Sequence, residues 1–243
     1  MNPAETPGPP GRSEQQAAII QTVLLRVWVP DRPGALGAVA SRVGAVGGDV
    51  VGIDILERGA GRAIDELWVE LSSTEQLPLL IAEVSEVDGV DVEDCRPVDI
   101  ARRSAALHAF NGALELLELG STADVLGAMA DLVVDACSAE GAVVVPTGVN
   151  TETEAGAEHG PVFVAGFSAE DANWLVAFAR GVATTAETDE FDASDFPDLA
   201  VGVLPRAGSL LAVSRRGLTF RAKERQIIRD VAAAADHRLA ELN

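Results

Sequence analysis

Four residues, Asp31-Arg32-Pro33-Gly34, constrain this chain more than any other feature, because they end one kind of local structure and begin another. Ahead of them Thr22 to Pro30 reads TVLLRVWVP, rich in β-branched residues and closed by a proline, which predicts a strand. Pro33 fixes its own φ and pushes Arg32 toward extended geometry, while Gly34 lets backbone approach closely. Beyond them Leu36, Val39, Val43 and Val46 recur at helical spacing until Gly47-Gly48 supplies a stop. The chain must therefore turn a tight corner from strand into helix, with the unpaired N–H groups of the helix start presented at that corner.

The pattern continues to residue 98. DVVGIDILER alternates Val51, Ile53 and Ile55 with other positions. Gly59-Ala60-Gly61 then turns the chain into RAIDELWVELSS, where Ile64, Glu66, Trp68 and Glu70 alternate with Asp65, Leu67, Val69 and Leu71, predicting a hairpin. A helix fits Thr74 to Val87, with Thr74 as N-cap, and Asp88-Gly89 leads into a fourth strand, VDVEDCRPV. The order is βαββαβ, the ferredoxin-like architecture of two helices over one face of a four-stranded antiparallel sheet. It leaves the other face or an edge free. Side-by-side pairing of two copies is the natural protection for such an edge.

Residues 101–243 read as a second α+β unit with a central antiparallel sheet. A helical stretch from about 101 to 138 breaks near Gly120, where Ser121 or Thr122 can cap a second helix. GAVVVP and PVFVAGF follow as short buried strands, then a helix from Ser168 to about Val182 and the strands LAVGVLP and GSLLAVSRR. A closing helix from Thr219 carries Ile228, Val231, Ala235, Leu239 and Leu242 as one stripe. Trp174, Phe178 and Phe163 are read as core, and Trp28 and Trp68 as packing or dimer contacts.

Residues 1–18, with four prolines, are expected to be a disordered leader. That gives a division of leader (1–18), first domain (19–100) and second domain (101–243). No run reaches the roughly 18–20 apolar residues of a membrane span and no signal peptide is apparent, so a cytoplasmic location is expected. The formal charge of −20 disfavours nucleic acid and anionic membranes. Residues 206–243 depart from it, holding eight of the 18 basic side chains against four acids, which is read as a solvated face. Cys95 and Cys137 lack metal-ligand spacing and are read as buried thiols. No metal or cofactor is expected. The acids between Glu187 and Asp198 do not match a calcium loop and read as a solvated segment able to act as a lid. His108, His159 and His237 belong to no catalytic signature, and no nucleophile elbow or phosphate loop is present, so an enzyme is not expected.

Residues 22–98, through LRVWVPDRPGALGAVASRVGAVGGDVVGIDI, resemble the ACT domain, in which a strand passes through D-R-P-G-x-L into the first helix. The resemblance implies an amino acid bound at a homodimer interface by the corner and the second strand, here Asp31, Gly34, Ala35, Leu36 and Asp49, with Arg32 facing solvent. The helix start suits a carboxylate and Asp31 an ammonium group; equally, Asp31 can cap the helix and Pro-Gly merely make the turn. Asp49 departs from the Asn common in the family, and an acid there tolerates an amino group but repels a carboxylate. Residues 106–243 resemble a GAF domain, chiefly through Arg215, Arg216, Phe220 and Glu224 between the last strand and last helix. That region is expected either to hold an undetermined ligand or to serve structure and dimerisation alone. The expected function is a non-catalytic regulatory protein sensing a small ligand. The alternatives are a ligand-free scaffold or partner-binding protein, and an accessory regulatory subunit of an amino-acid-metabolic enzyme.

Overall fold

A computed structural model describes residues 21–98, 104–147, 163–168, 170–185 and 196–242. The leader, His159 and the acids from Glu187 to Asp195 lie outside the described residues.

Strand β1 (Gln21–Pro30), helix α1 (Ala35–Ala45), strands β2 (Asp49–Gly59) and β3 (Arg62–Leu71), helix α2 (Leu77–Ser85) and strand β4 (Asp91–Pro97) follow in the expected order. The four strands form an antiparallel sheet of order β2-β3-β1-β4, so β2 and β4 are its edges. Ala60 and Gly61, both at positive φ (52° and 77°), make the β2–β3 turn, the handedness a two-residue hairpin needs. Odd-numbered β1 and β3 residues such as Val23, Leu25, Leu67 and Val69 pack with Val39, Val43, Leu80 and Val84 of the helices. Ser73, not Thr74, caps the second helical segment. Its hydroxyl accepts from the Glu75 N–H while the Gln76 side chain accepts from the Ser73 N–H, a reciprocal pair that Thr74 is one residue too late to make.

The remainder comprises α3 (Ala105–Leu116), α4 (Thr122–Ala136), β5 (Gly141–Pro146), β6 (Phe163–Ala165), α5 (Asn173–Thr185), β7 (Leu199–Leu204), β8 (Ser209–Ser214) and α6 (Ala222–Leu242). Ser121 caps α4. The α5 helix starts later than its pattern suggests, because Ser168 first accepts from the Asp171 N–H in a separate turn. A second antiparallel sheet, ordered β6-β5-β8-β7, carries α4 and α6 with α3 on one face and α5 on the other, each side with its own buried cluster. Trp174 is not core: it is 48% exposed and meets Phe167 edge to face.

The free sheet face expected of the first unit is not free. The even-numbered residues Leu24, Arg26, Ile64, Glu66 and Trp68 are all buried, covered by the start of α6 and the turn before it. The basic residues after 206, read from sequence as a solvated face, include Arg215 and Arg221, which are 5% and 8% exposed and turn inward, Arg215 to Glu224 of α6 and Arg221 to Glu93 of the first sheet.

Candidate functional site

Two places bring functional groups together. The first is the corner. Asp31, Arg32, Pro33 and Gly34 are exposed, and the Asp31 N–H donates to Gly61 O at 2.9 Å, pinning the corner to the β2–β3 turn. Gly34, at φ 86°, is the N-cap residue of α1, a conformation that strains any side-chain-bearing residue. No side chain caps the helix and no acid lies in its first turn, so of the two sequence readings of Asp31 the capping one does not hold. Ala35 is buried and Leu36 partly so.

Asp49 is exposed at the start of β2, opposite Glu70, at the far end of the sheet from Asp31. The length of β1 separates them, on the order of 30 Å. One chain thus brings Asp31, Gly34, Ala35 and Leu36 together and leaves Asp49 out.

Sequence reasoning missed Asp65. It sits on β3 between Val27 and Ile55, on the helix-covered face, 3% exposed, and its Oδ1 has no hydrogen-bond partner. Burial pushes its carboxyl above the usual range; Arg58 opposes the shift and Asp31 adds to it, so Asp31 and Asp65 share one electrostatic neighbourhood. The signal was legible, since Asp65 is the one acid in a register otherwise filled by Leu67, Val69 and Leu71. A carboxyl whose native pKa is raised takes stability away as pH rises from the ordinary carboxylate range through the native value. Asp65→Asn is accordingly expected to raise Tm by a few degrees at pH 7 and to leave it unchanged at about pH 3, where the acid is protonated folded or unfolded. Equal melting at pH 7 would mean that the buried charge is fully compensated.

The second place is a buried ion cluster joining the two units. Arg26, 1% exposed, donates through Nε (2.9 Å) and Nη2 (2.5 Å) to Glu66 Oε1 and through Nη2 to Glu224 Oε1 (3.0 Å). Arg215 grips Glu224 with two nitrogens (2.7 and 3.1 Å), donates to the carbonyls of Cys137, Leu218 and Thr219, and lies over the Phe220 ring at 4.3 Å. Glu224 also accepts from the Arg221 N–H at 2.8 Å, capping α6. Arg221 pairs with Glu93 and Lys223 with Asp54, each joining α6 to the first sheet.

Burial opposes the Glu224 charge, but Arg215, Arg26 and the Arg221 amide outweigh it and hold its carboxyl below the usual range. Burial is also the largest influence on Glu66 and there it prevails over Arg26, so Glu66 takes up a proton first as pH falls. Both cysteines are free; Cys137 is buried but Cys95 only half-buried, against the expectation for both. Burial, then Glu224, pushes the Cys137 thiol up to about 12, and burial, then Asp94, pushes Cys95 to about 11, so neither is an activated nucleophile. Among the described residues no group of three His, Cys, Asp or Glu could hold a metal ion, and no helix is long and apolar enough to cross a membrane.

The family model of the ACT domain matches residues 23–89. No curated protein matches the chain. Solved structures with similarity include the ACT domain of a GTP pyrophosphokinase from Chlorobium tepidum. Its solution structure is 15% identical, covers 33% of this chain and 88% of its own, and has a TM-score of 0.27. Its crystal structure is 15% identical, with coverages of 32% and 96% and a TM-score of 0.26. A crystal structure of an unknown protein from Galdieria sulphuraria is 12% identical over 80% of this chain and 98% of its own, with a TM-score of 0.29.

Proposed function

We propose that the chain is a non-catalytic cytoplasmic regulator in which residues 19–100 bind an amino acid at a homodimer interface and residues 101–243, a GAF-like domain, are held to the first domain by the buried ion cluster. One observation carries the reading: the start of α1 has no side-chain cap, and Asp65, buried with its Oδ1 lacking a hydrogen-bond partner, lies within the electrostatic reach of Asp31 at that corner. The helix start suits a carboxylate, and Asp31 with Asp65 suits an ammonium group, the two charges of a free amino acid. The GAF-like assignment is supported by Arg215, Phe220 and Glu224, which build the turn into α6. Asp49 joins the site from a second copy: antiparallel pairing of two β2 edges carries the Asp49 end of one sheet toward the corner end of the other.

A ligand held by the native state raises Tm. Thermal unfolding of the full chain against the twenty amino acids and common purine nucleotides is expected to show a selective rise with an amino acid. Gly34→Val, which strains the backbone at φ 86° but meets no atom within 4 Å, is expected to remain folded and lose that rise. A chain that responds to no compound is a ligand-free scaffold. That second reading, or an accessory subunit of an amino-acid-metabolic enzyme, has its own support in α3 and its C-cap residue, where Leu107, Phe110, Leu114 and Leu117 turn outward at 59%, 60%, 49% and 37% exposure.

A further inference from the structure

A cavity of about 260 Å³ lies between the even-numbered face of the first sheet and the ends of α4 and α6. Leu24, Leu56 and Ile227 give it aliphatic walls, and Trp68 and Arg96 line it together. Trp68, Leu24 and Arg96 stand in one row across β3, β1 and β4, since Leu24 is in register with both of the others. The row therefore places an indole and a guanidinium on either side of one leucine, about 10 Å apart at the backbone.

Among the residues lining the cavity, the buried side-chain atom without a hydrogen-bond partner is a donor. Every carboxylate lining the cavity already has a side-chain partner: Asp54 has Lys223, Glu66 has Arg26, Asp135 has the His108 ring, and Glu224 has Arg26 and Arg215. Donors are left over. The Trp68 Nε1–H has no hydrogen-bond partner in a residue that is 5% exposed, so folding leaves this donor without the bond it makes in water. Arg96 engages Asp94 through Nε at 2.8 Å, and among the described residues no hydrogen bond occupies its two η nitrogens, which suit a bidentate acceptor.

We infer that this cavity binds a small organic carboxylate, its anionic oxygens held by the Arg96 η nitrogens and the Trp68 indole N–H and its short aliphatic body against Leu24, Leu56 and Ile227. The volume falls just under the roughly 300–1,000 Å³ of drug-sized pockets, which suits a metabolite. None of Asp31, Gly34, Ala35, Leu36 or Asp49 lines it, so the site is separate from the corner. A ligand there touches both units beside the ion cluster that joins them.

The experiment is a titration of the ¹⁵N-labelled full chain with isovalerate, 2-oxoisovalerate, the uncharged isovaleramide and valine, following the three indole N–H resonances. Expected is a saturable shift of the Trp68 resonance with the two carboxylates and none with the amide. Trp68→Phe, followed by calorimetry, and Arg96→Gln are each expected to weaken binding roughly ten-fold or more. Gly34→Val leaves the shift intact, so failure at the corner and failure here read out separately. The inference is overturned by the absence of a saturable Trp68 shift with either carboxylate, by equal binding of isovaleramide, by tighter binding of valine than of isovalerate, or by unchanged affinity in Arg96→Gln chains whose circular dichroism matches the parent.

Discussion

Glu224→Ala is expected to lower Tm by roughly ten degrees or more, the largest single-residue effect in the molecule. Glu224 is 5% exposed and is the common acceptor of Arg26 and Arg215, so its removal leaves two buried guanidinium groups short of a counter-charge. Breaking a buried ion pair from one side costs about 3–5 kcal/mol, and in a chain of this size each kcal/mol moves Tm by about 2–4 °C. The start of α6 loses its cap in the same substitution. A control separates stranded charge from lost packing. Replacing Arg26, Glu66, Arg215 and Glu224 together with apolar residues of similar volume is expected to destabilise less than Glu224→Ala alone, because no charge is then left unpaired. A quadruple variant worse than the single one would show that the cluster is favourable in itself. Acid acts in the same direction: the stability Glu224 supplies is present above the ordinary carboxylate range and is lost as pH falls toward its depressed native value.

In the proposed homodimer, Ile53→Asp is expected to raise the dissociation constant roughly a hundred-fold or more, measured by sedimentation velocity. Ile53 and Ile55 lie on the edge strand β2, in register with Leu67 and Asp65 on the helix-covered face, yet are 45% and 40% exposed. An edge with open backbone groups and apolar side chains beside them is a surface suited to pairing with a second copy. Two-fold symmetry brings each substitution in twice, so two new carboxylates meet near the axis, and like-charge contact of that kind costs several kcal/mol. In the proposed site, where Asp49 comes from the second copy, the same variant is expected to weaken the amino-acid response. A dissociation constant equal to the parent's would place the dimer contact elsewhere, with the outward stripe of α3 as the next surface to change.

The first unit was legible because its signals are local. DRPG marks the corner, period-two and period-3.6 patterns mark the strands and helices around it, and the glycine pairs mark the stops. The N-cap at Ser73 was misplaced by one residue, as a Ser-Ser-Thr run allows when the deciding hydrogen bond is the one the Ser73 N–H donates to the Gln76 side chain. What covers the second sheet face was not legible. Arg26 and Glu66 look like solvent-facing positions of a half-buried strand, and Arg215 and Glu224 like ordinary features of a turn and a helix. Their burial follows from contacts 193 and 198 residues apart in sequence, Arg26 to Thr219 and Arg26 to Glu224, which no window along the chain can see. Asp31 and Asp49 illustrate the opposite case: both belong to one resemblance, but antiparallel register sets them at opposite ends of a single sheet.

The central claim, that the corner binds an amino acid across a homodimer, is tested most directly by ¹H–¹⁵N spectra of the full chain with each amino acid in turn. The account predicts that a selective ligand moves the amides of Gly34, Ala35 and Leu36 and, in the same titration with the same saturation, that of Asp49 at the far end of the sheet. Corner amides that stay fixed with all twenty amino acids, or that move while Asp49 does not, would contradict it.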